Sequence, residues 1–334
     1  MKDEDPCSCG SGKSYLHCCW VRDALWAKEE KSTEAFSHLK DAAEEKVFTS
    51  EEEFQAFSDD MMEGYNREPD PDFLGLSSEQ MARLLYRPLE RNSDIVRINR
   101  DISPNMYETV PIVRNTRLFL AALAEAEPLN STAKGNLPVR FAKPLFDQIE
   151  ESRFKEYISF RSEENSPTVL TLRHILILGG WIKKEKKQFK LTRRGHNALS
   201  DGFTEPHFYR LLNTFAVKFN WAFQDRYPPL PIIQRSWLFS LFLLHEKAKK
   251  YTEDAALAKF FIKAFPEAAL EIDSLYTSEF EYLTHCFSIR FLERFCEYFG
   301  FVECRREKQK ELFSVRLSLK TSPLFETYFI WGVH

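Results

Sequence analysis

Apolar residues recur at helical spacing along most of the chain. Residues 20 to 45 are rich in helix formers, with Trp20, Leu25, Trp26 and Ala27 as apolar contacts, and predict one helix. A loop, NREPDPDF, precedes a helix whose start is written in Ser77-Ser78-Glu79-Gln80. Ser77 can cap the backbone, Gln80 can reach back to it, and Leu76 with Met81 can form a hydrophobic staple. Met81, Leu84 and Leu85 give that helix a buried face. The stretch from Pro111 to Ala126 carries Val113, Leu118, Leu120, Ala121 and Leu123, and ends before Pro128. After NSTAKGNLP, Pro138 marks another start and Phe141, Leu145 and Ile149 continue at spacing four. Pro144 is expected to bend or break that helix.

The pattern changes between Ser166 and Ser200. An apolar helix, TVLTLRHILIL, stops at Gly179-Gly180, and a strand begins at Trp181-Ile182. A basic turn, KKEKK, leads into Gln188 to Leu191, and Thr192 can cap the next helix. Helix, hairpin, helix is the tail of a winged-helix unit. Beyond a proline-rich linker, residues 227 to 233, and two helical segments, the order returns: an apolar run from Phe280 to Tyr298 stopped by Gly300, then Phe301 to Glu303, a charged turn RREKQK, and an alternating strand from Leu312 to Leu319. An approximate internal duplication, near 166–200 and 280–330, follows from this order. The expected fold is mainly α with small β-hairpins: an N-terminal knuckle (1–22), an acidic helical arm (23–65), a helical region (66–160), a winged-helix-like unit (161–226), and a helical region with a second such unit (234–334).

Composition adds three constraints. A chain of 334 residues is expected to divide into several packed units, and its 30 phenylalanines read as filled helical cores before base-stacking platforms. Net charge is −4 overall, yet Asp41 to Glu63 sets nine acids against one lysine, whereas Lys183 to Arg194 sets seven basic residues against one glutamate. Such contrast either pairs modules with each other or steers a charged partner. The longest apolar stretch, Trp237 to Leu244, is far below the ~20 residues a bilayer needs, so no membrane span is expected. Seven cysteines, the polar start MKDED and unpaired interior thiols at Cys286, Cys296 and Cys304 suit a reducing cytoplasm.

The remaining four cysteines cluster. Cys7-x-Cys9 and Cys18-Cys19 are two short pairs separated by a segment, Gly10-Ser11-Gly12-Lys13, that can reverse sharply. Short pairs joined by a turn are how a chain supplies four tetrahedral zinc ligands. Two disulfides or free thiols are the alternative, and the compartment disfavours it. The string C-S-C-G-S-G-K-S-Y-L-H-C-C resembles the SEC-C motif, the small zinc-binding module at the C-terminal end of the SecA preprotein translocase motor and in many bacterial proteins. Its usual pattern, C-x-C-G-S-G-K-x-Y-x-x-C followed by histidine or cysteine, is met at every defined position. Cys19 takes the place often held by histidine, so an all-thiolate Zn2+ site is expected, with His17 outside the ligand set. The resemblance implies docking on a protein or ribosome-associated partner, with Lys13 and Tyr15 as exposed contacts. More loosely, DFLGLSSEQM-RLLY, KGNLP and KLTRRG resemble bacterial proteins, often plasmid-encoded, that combine such segments with SEC-C motifs, and no activity comes with that likeness. Gly12-Lys13-Ser14 is not the end of a phosphate-binding loop, because Cys7 stands where that loop needs glycine and no hydrophobic strand precedes it.

Four thiolates leave no open metal position, so hydrolysis at the metal is not expected. His174, His207, His245 and His285 lie on helices among aromatics without an H-E-x-x-H pair, and no nucleophile turn appears. Glu279, Glu281 and Glu51 to Glu53 read as solvated faces. The protein is therefore not expected to be an enzyme. The preferred reading is a zinc-binding adaptor with protein–protein interaction through the knuckle. The alternative is a DNA-binding regulator touching phosphates through Lys183, Lys184, Lys186 and Lys187 within the basic hairpin 183–194. Against it, the run Val169 to Leu178 offers only Arg173 and His174 to base edges, and the second hairpin mixes Glu303, Glu307 and Glu311 with its bases.

Overall fold

The computed structural model describes residues 1–90, 93–150, 155, 158–273, 277–308 and 315–332. Behind the cysteine knuckle, helix α1 (Trp20–Glu44) turns through Phe48 into α2 (Glu51–Arg67). The turn is set locally: Ser50 accepts from Glu53 N–H, and Glu51, Glu52 and Glu53 sit at the positive end of the helix. Helix α3 (Ser78–Tyr86) opens on a reciprocal capping box, with Ser77 N–H donating to Gln80 Oε1 at 2.9 Å and Gln80 N–H to Ser77 Oγ at 3.2 Å. Leu76 and Met81, the expected staple, are both buried.

Strand β1 (Val96–Ile98) and the short α4 (Asn105–Glu108) lead to α5 (Pro111–Ala126), β2 (Leu129–Asn130) and α6 (Val139–Ile149). Pro144 does not break α6. It shares the exposed face with Arg140, the residue four positions back whose carbonyl has no N–H of residue 144 to accept from. Next come α7 (Pro167–Leu178), β3 (Ile182–Glu185), β4 (Gln188–Leu191) and α8 (Arg193–Ser200). Helix α9 (Glu205–Asn213) runs on as a π-helical turn, Thr214–Lys218. Beyond the linker stand α10 (Pro231–Arg235), α11 (Trp237–Lys247), β5 (Thr252–Glu253) and α12 (Asp254–Ala264). Helix α13 (Glu279–Phe287) continues with π winding through Ser288–Glu297, followed by β6 (Val302–Lys308), β7 (Val315–Thr321), α14 (Pro323–Tyr328) and β8 (Phe329–Trp331). Of the second hairpin's expected features, Glu311 and the start of the strand at Leu312 lie outside the described residues. No helix among the described residues is long and apolar enough to cross a membrane.

Two three-stranded antiparallel sheets, ordered β2-β4-β3 and β5-β7-β6, repeat one construction. Gly180 (φ +71°) and Gly300 (φ +68°) end their helices in the left-handed conformation that glycine reaches without a Cβ clash. Gly180 N–H donates to Ile177 O and Trp181 N–H to Leu176 O; Gly300 N–H donates to Glu297 O and Phe301 N–H to Cys296 O. Across each hairpin Thr192 N–H reaches Trp181 O, and Ser322 N–H reaches Phe301 O. The Thr192 and Ser322 hydroxyls return to the Gly180 and Gly300 carbonyls at 2.8 and 2.6 Å, and both residues cap the helix that follows. Even the short third strands agree: Leu129 pairs with Phe189, and Thr252 with Leu319. A separate ribbon pairs β1 with β8, Val96 opposite Trp331, and ties the middle of the chain to its end.

Most of the phenylalanines build the core that joins these units. Phe287, Phe291, Phe295 and Phe299, spaced four apart, touch ring to ring at 5.1, 5.9 and 5.2 Å, and all four are buried. The stretch from Phe223 into the proline-rich linker is gripped from both sides. His174 on α7 meets the Phe223 ring edge-on at 5.0 Å, while Arg294 on the π segment donates to the Phe223 carbonyl at 3.0 Å. Arg290 forks onto Asp225 at 2.6 and 3.1 Å and donates to the Pro228 and Pro229 carbonyls, each at 2.7 Å. Proline supplies acceptors and no N–H, so a buried multi-donor arginine is what such a linker needs.

Candidate metal centre and surrounding faces

The knuckle is a miniature hairpin closed on its own backbone. Pro6 bridges Ser14, Cys7 N–H donates to Lys13 O at 2.9 Å, and Gly10 N–H donates to Cys7 O at 3.2 Å. Gly10 (φ +79°) and Gly12 (φ +74°) stand in open space, so it is the backbone angle, not crowding, that calls for glycine. The second cysteine pair sits at the entry to α1, where Cys19 is the residue before the first helical turn and accepts from Asp23 N–H at 2.9 Å. Tyr15 fastens the two halves: its hydroxyl donates to Asp23 Oδ2 at 2.9 Å. Burial and that carboxylate push its phenol up to about 12.

This folding brings the sulfurs of Cys7, Cys9, Cys18 and Cys19 within 4.8 Å of one another, the one such group of His, Cys, Asp or Glu among the described residues. All are free thiols; Cys9 and Cys18 lie 3.4 Å apart and Cys18 and Cys19 3.7 Å, well beyond a disulfide bond. Crowding opposes their joint ionisation. Hydrogen bonds from the Ser11 side chain and backbone lower the Cys9 thiol to about 6, whereas the contact with Cys7, with burial, pushes Cys19 up to about 12. A cation among four sulfurs removes that opposition, so the donor set fits a thiophilic metal ion.

One face of the knuckle is committed to the body. Trp20 packs edge-on against Phe280 at 5.7 Å, Asp3 pairs with Lys259, and the Lys259 ammonium stands 5.5 Å from the Trp20 ring. His17 lies outside the sulfur group: its Nδ1 is 3.3 Å from Ser278 Oγ and 3.6 Å from Glu281 Oε1, at the start of α13. The opposite face, residues 8 to 13 with Lys13, is exposed, and Tyr15 is half-buried.

The four lysines of the basic hairpin separate in the structure. Most of KKEKK is strand, and the turn is the two residues Lys186 (φ +49°) and Lys187 (φ +62°). Lys183 pairs with Glu185 at 3.0 Å, and Lys184 donates to Gly135 O at 2.7 Å. Lys186 and Lys187 are exposed at the tip and have no side-chain partner among the described residues. Arg173 is buried in an ion pair with the fully buried Glu163, which also accepts from Leu137 N–H at 2.8 Å. His207 receives Thr204 N–H at 3.2 Å and His245 stacks on Trp331 at 5.2 Å. The structure does not bring these histidines and His285 together.

Sequence reasoning missed the Asp225–Arg290 and Glu163–Arg173 pairs. Their signal was an arginine at an inward position, Arg173 within an apolar run and Arg290 on the buried face of an amphipathic segment; buried there, each has to find a counter-charge. Comparison of the chain with protein-family models, curated proteins and solved structures found no match. The likeness to the SEC-C motif thus rests on residues 7 to 19.

Proposed function

We propose that this protein is a zinc-binding adaptor, in which Cys7, Cys9, Cys18 and Cys19 hold one Zn2+ and the exposed loop 8–13 meets a protein or ribonucleoprotein partner in the cytoplasm. The observation that carries the reading is the sulfur cluster. Zinc–sulfur bonds of about 2.3 Å at tetrahedral angles separate the sulfurs by about 3.8 Å, and the observed 3.4 and 3.7 Å lie close to that edge. When bound, zinc supplies charge balance and a fixed loop; an all-thiolate set keeps it from acting as a catalyst. The chain's own residues do the rest. Trp20, Asp3 and His17 orient the knuckle on the body, and Lys13 is left for contact.

The repeated construction fits two winged-helix-like units, each with helix, strand, two helices and a hairpin in the sheet order first-third-second strand. Each unit then begins at its own first helix, α5 or α11. Their third helices, α7 and α13, are occupied with the linker and with buried ion pairs, which favours protein scaffolding over entry into a DNA groove. One observation favours the regulator alternative: Lys186 and Lys187 are exposed at the hairpin tip, without a side-chain partner among the described residues.

A nuclease-treated pull-down from native lysate distinguishes these readings. It compares the intact protein with Lys13→Glu, with Cys18→Ser/Cys19→Ser and with Lys186→Glu/Lys187→Glu, each first checked for native circular dichroism. Capture that is lost in the first two variants and kept in the third supports the adaptor. Capture unaffected by the first two variants overturns it, and salt-sensitive DNA binding lost only in the third puts the regulator in its place.

A further inference from the structure

The arm made by α1 and α2 has an unfilled side. Helix α2 buries none of its 17 residues, and helices of that length owe most of their stability to packing. On the arm Phe36 is 70% exposed and Phe54 42%. Between the helices lies an open groove of about 560 Å³, lined by Phe36, Leu39, Ala43, Phe48 and Phe54. Its closed end is preformed: Phe48 packs on Phe54 at 5.2 Å and on Phe57 at 5.3 Å, and Lys46 covers Phe57 at 4.0 Å. Of the charged side chains that line it, Lys40 and Glu44 pair with each other at 3.8 Å, and the arm around it is strongly acidic: Lys40 to Glu63 holds nine acids against two bases, Lys40 and Lys46.

Two antiparallel helices with an apolar groove accept a third helix laid along them. The net acidity of the arm selects its charge. A second copy of the arm would set acids against acids, which disfavours self-association through this face. We propose that the groove binds a basic amphipathic helix of another protein, with apolar side chains against Phe36 and Phe54 and Lys or Arg toward the acids. This contact is separate from the metal knuckle and does not depend on it.

The test uses the full chain loaded with zinc and a fluorescent peptide of about 18 leucines and lysines, the leucines on one helical face. A peptide of the same composition with scrambled order keeps the charge and loses the face. Anisotropy at physiological ionic strength is expected to show the amphipathic peptide binding about tenfold tighter than the scrambled one, with that preference abolished in Phe36→Ser/Phe54→Ser. A photo-crosslinker on the peptide is expected to label residues 36 to 58, a readout that does not rely on the variant's folding. Equal binding of both peptides, preference surviving the double substitution, or labelling elsewhere overturns the proposal. So does sedimentation showing a dimer of the free protein that the same substitution dissolves, because the occupant is then a second copy.

Discussion

Replacing Asp225 by asparagine tests whether the linker is bolted to the long helix by charge. The side chains of Arg290 and Asp225 are each 1% exposed, and two of the guanidinium's hydrogen bonds end on this carboxylate at 2.6 and 3.1 Å. Asparagine keeps the shape and one acceptor oxygen, which can still receive Tyr227 N–H, now at 3.0 Å from Asp225. It removes the counter-charge and one of the two acceptor oxygens, and leaves the guanidinium buried against a neutral amide and the Pro228 and Pro229 carbonyls. Breaking a buried pair by removing one partner costs about 3–5 kcal/mol, more than the net worth of its hydrogen bonds, because the remaining charge stays out of water. With a urea slope of about 3 kcal/mol per molar, the unfolding midpoint falls by about 1 M or more, read by tryptophan fluorescence and far-ultraviolet circular dichroism. Arg290→Met alone should cost at least as much, since it strands a buried carboxylate and two proline carbonyls. The double variant should cost about 2 kcal/mol less than the sum, the sign of direct coupling. A midpoint shift under about 0.3 M for Asp225→Asn, or strict additivity in the double variant, refutes the reasoning.

Other consequences are as direct. A strong chelator added to the zinc-loaded protein should release a group of four fast-reacting thiols, Cys7, Cys9, Cys18 and Cys19, counted with a chromogenic disulfide, while the buried Cys286 and Cys296 stay slow; unchanged thiol counts would mean that no metal shields the cluster. Gly180→Ala and Gly300→Ala should each lower stability by about 1–2 kcal/mol, the cost of a left-handed non-glycine residue, and a neutral result at either position breaks the equivalence of the two hairpins. Burial holds the His174 and His207 imidazoles below their ordinary range, with Arg173 adding to the effect at His174. The unfolded chain then takes up these protons first, so their contribution is fully present above the unfolded value near about 6.5 and is lost as pH falls through the folded values, with a slope of at most about 1.4 kcal/mol per pH unit per histidine. Urea midpoints measured between neutral and mildly acidic pH should fall, and His174→Gln/His207→Gln should flatten the decline.

What could be read from the sequence was local chemistry. The Ser77–Gln80 box, the glycine stops at Gly180 and Gly300, the cap at Thr192, and the paired cysteines each depend on residues a few positions apart, where side-chain type and spacing decide the outcome. The two-residue strands β2 and β5 are too short to show a period of two, and the β1–β8 ribbon joins residues that no local pattern relates. Of the two outcomes expected at Pro144, a bend or a break, the helix is not broken: it runs on to Ile149 with Pro144 on its exposed face.

The larger gap concerned the direction in which α7 and α13 face. Their apolar character was plain, but their partners Glu163, Phe223 and Asp225 lie on other segments, so spacing along either helix could not reveal them. Once those partners are known, one physical requirement accounts for both arrangements. An arginine that a helix turns inward needs an ion pair out of water, whether the helix is apolar nearly all round, as α7 is, or amphipathic, as the π segment that carries Arg290 is. The stretch from Phe223 into the linker supplies cover and, through Asp225 and the proline carbonyls, the acceptors for Arg290. The inward faces of α7 and of the π segment after α13 are thereby used inside this molecule, whereas the hairpin tip at Lys186 and Lys187, the knuckle loop 8–13 and most of α2 stay exposed.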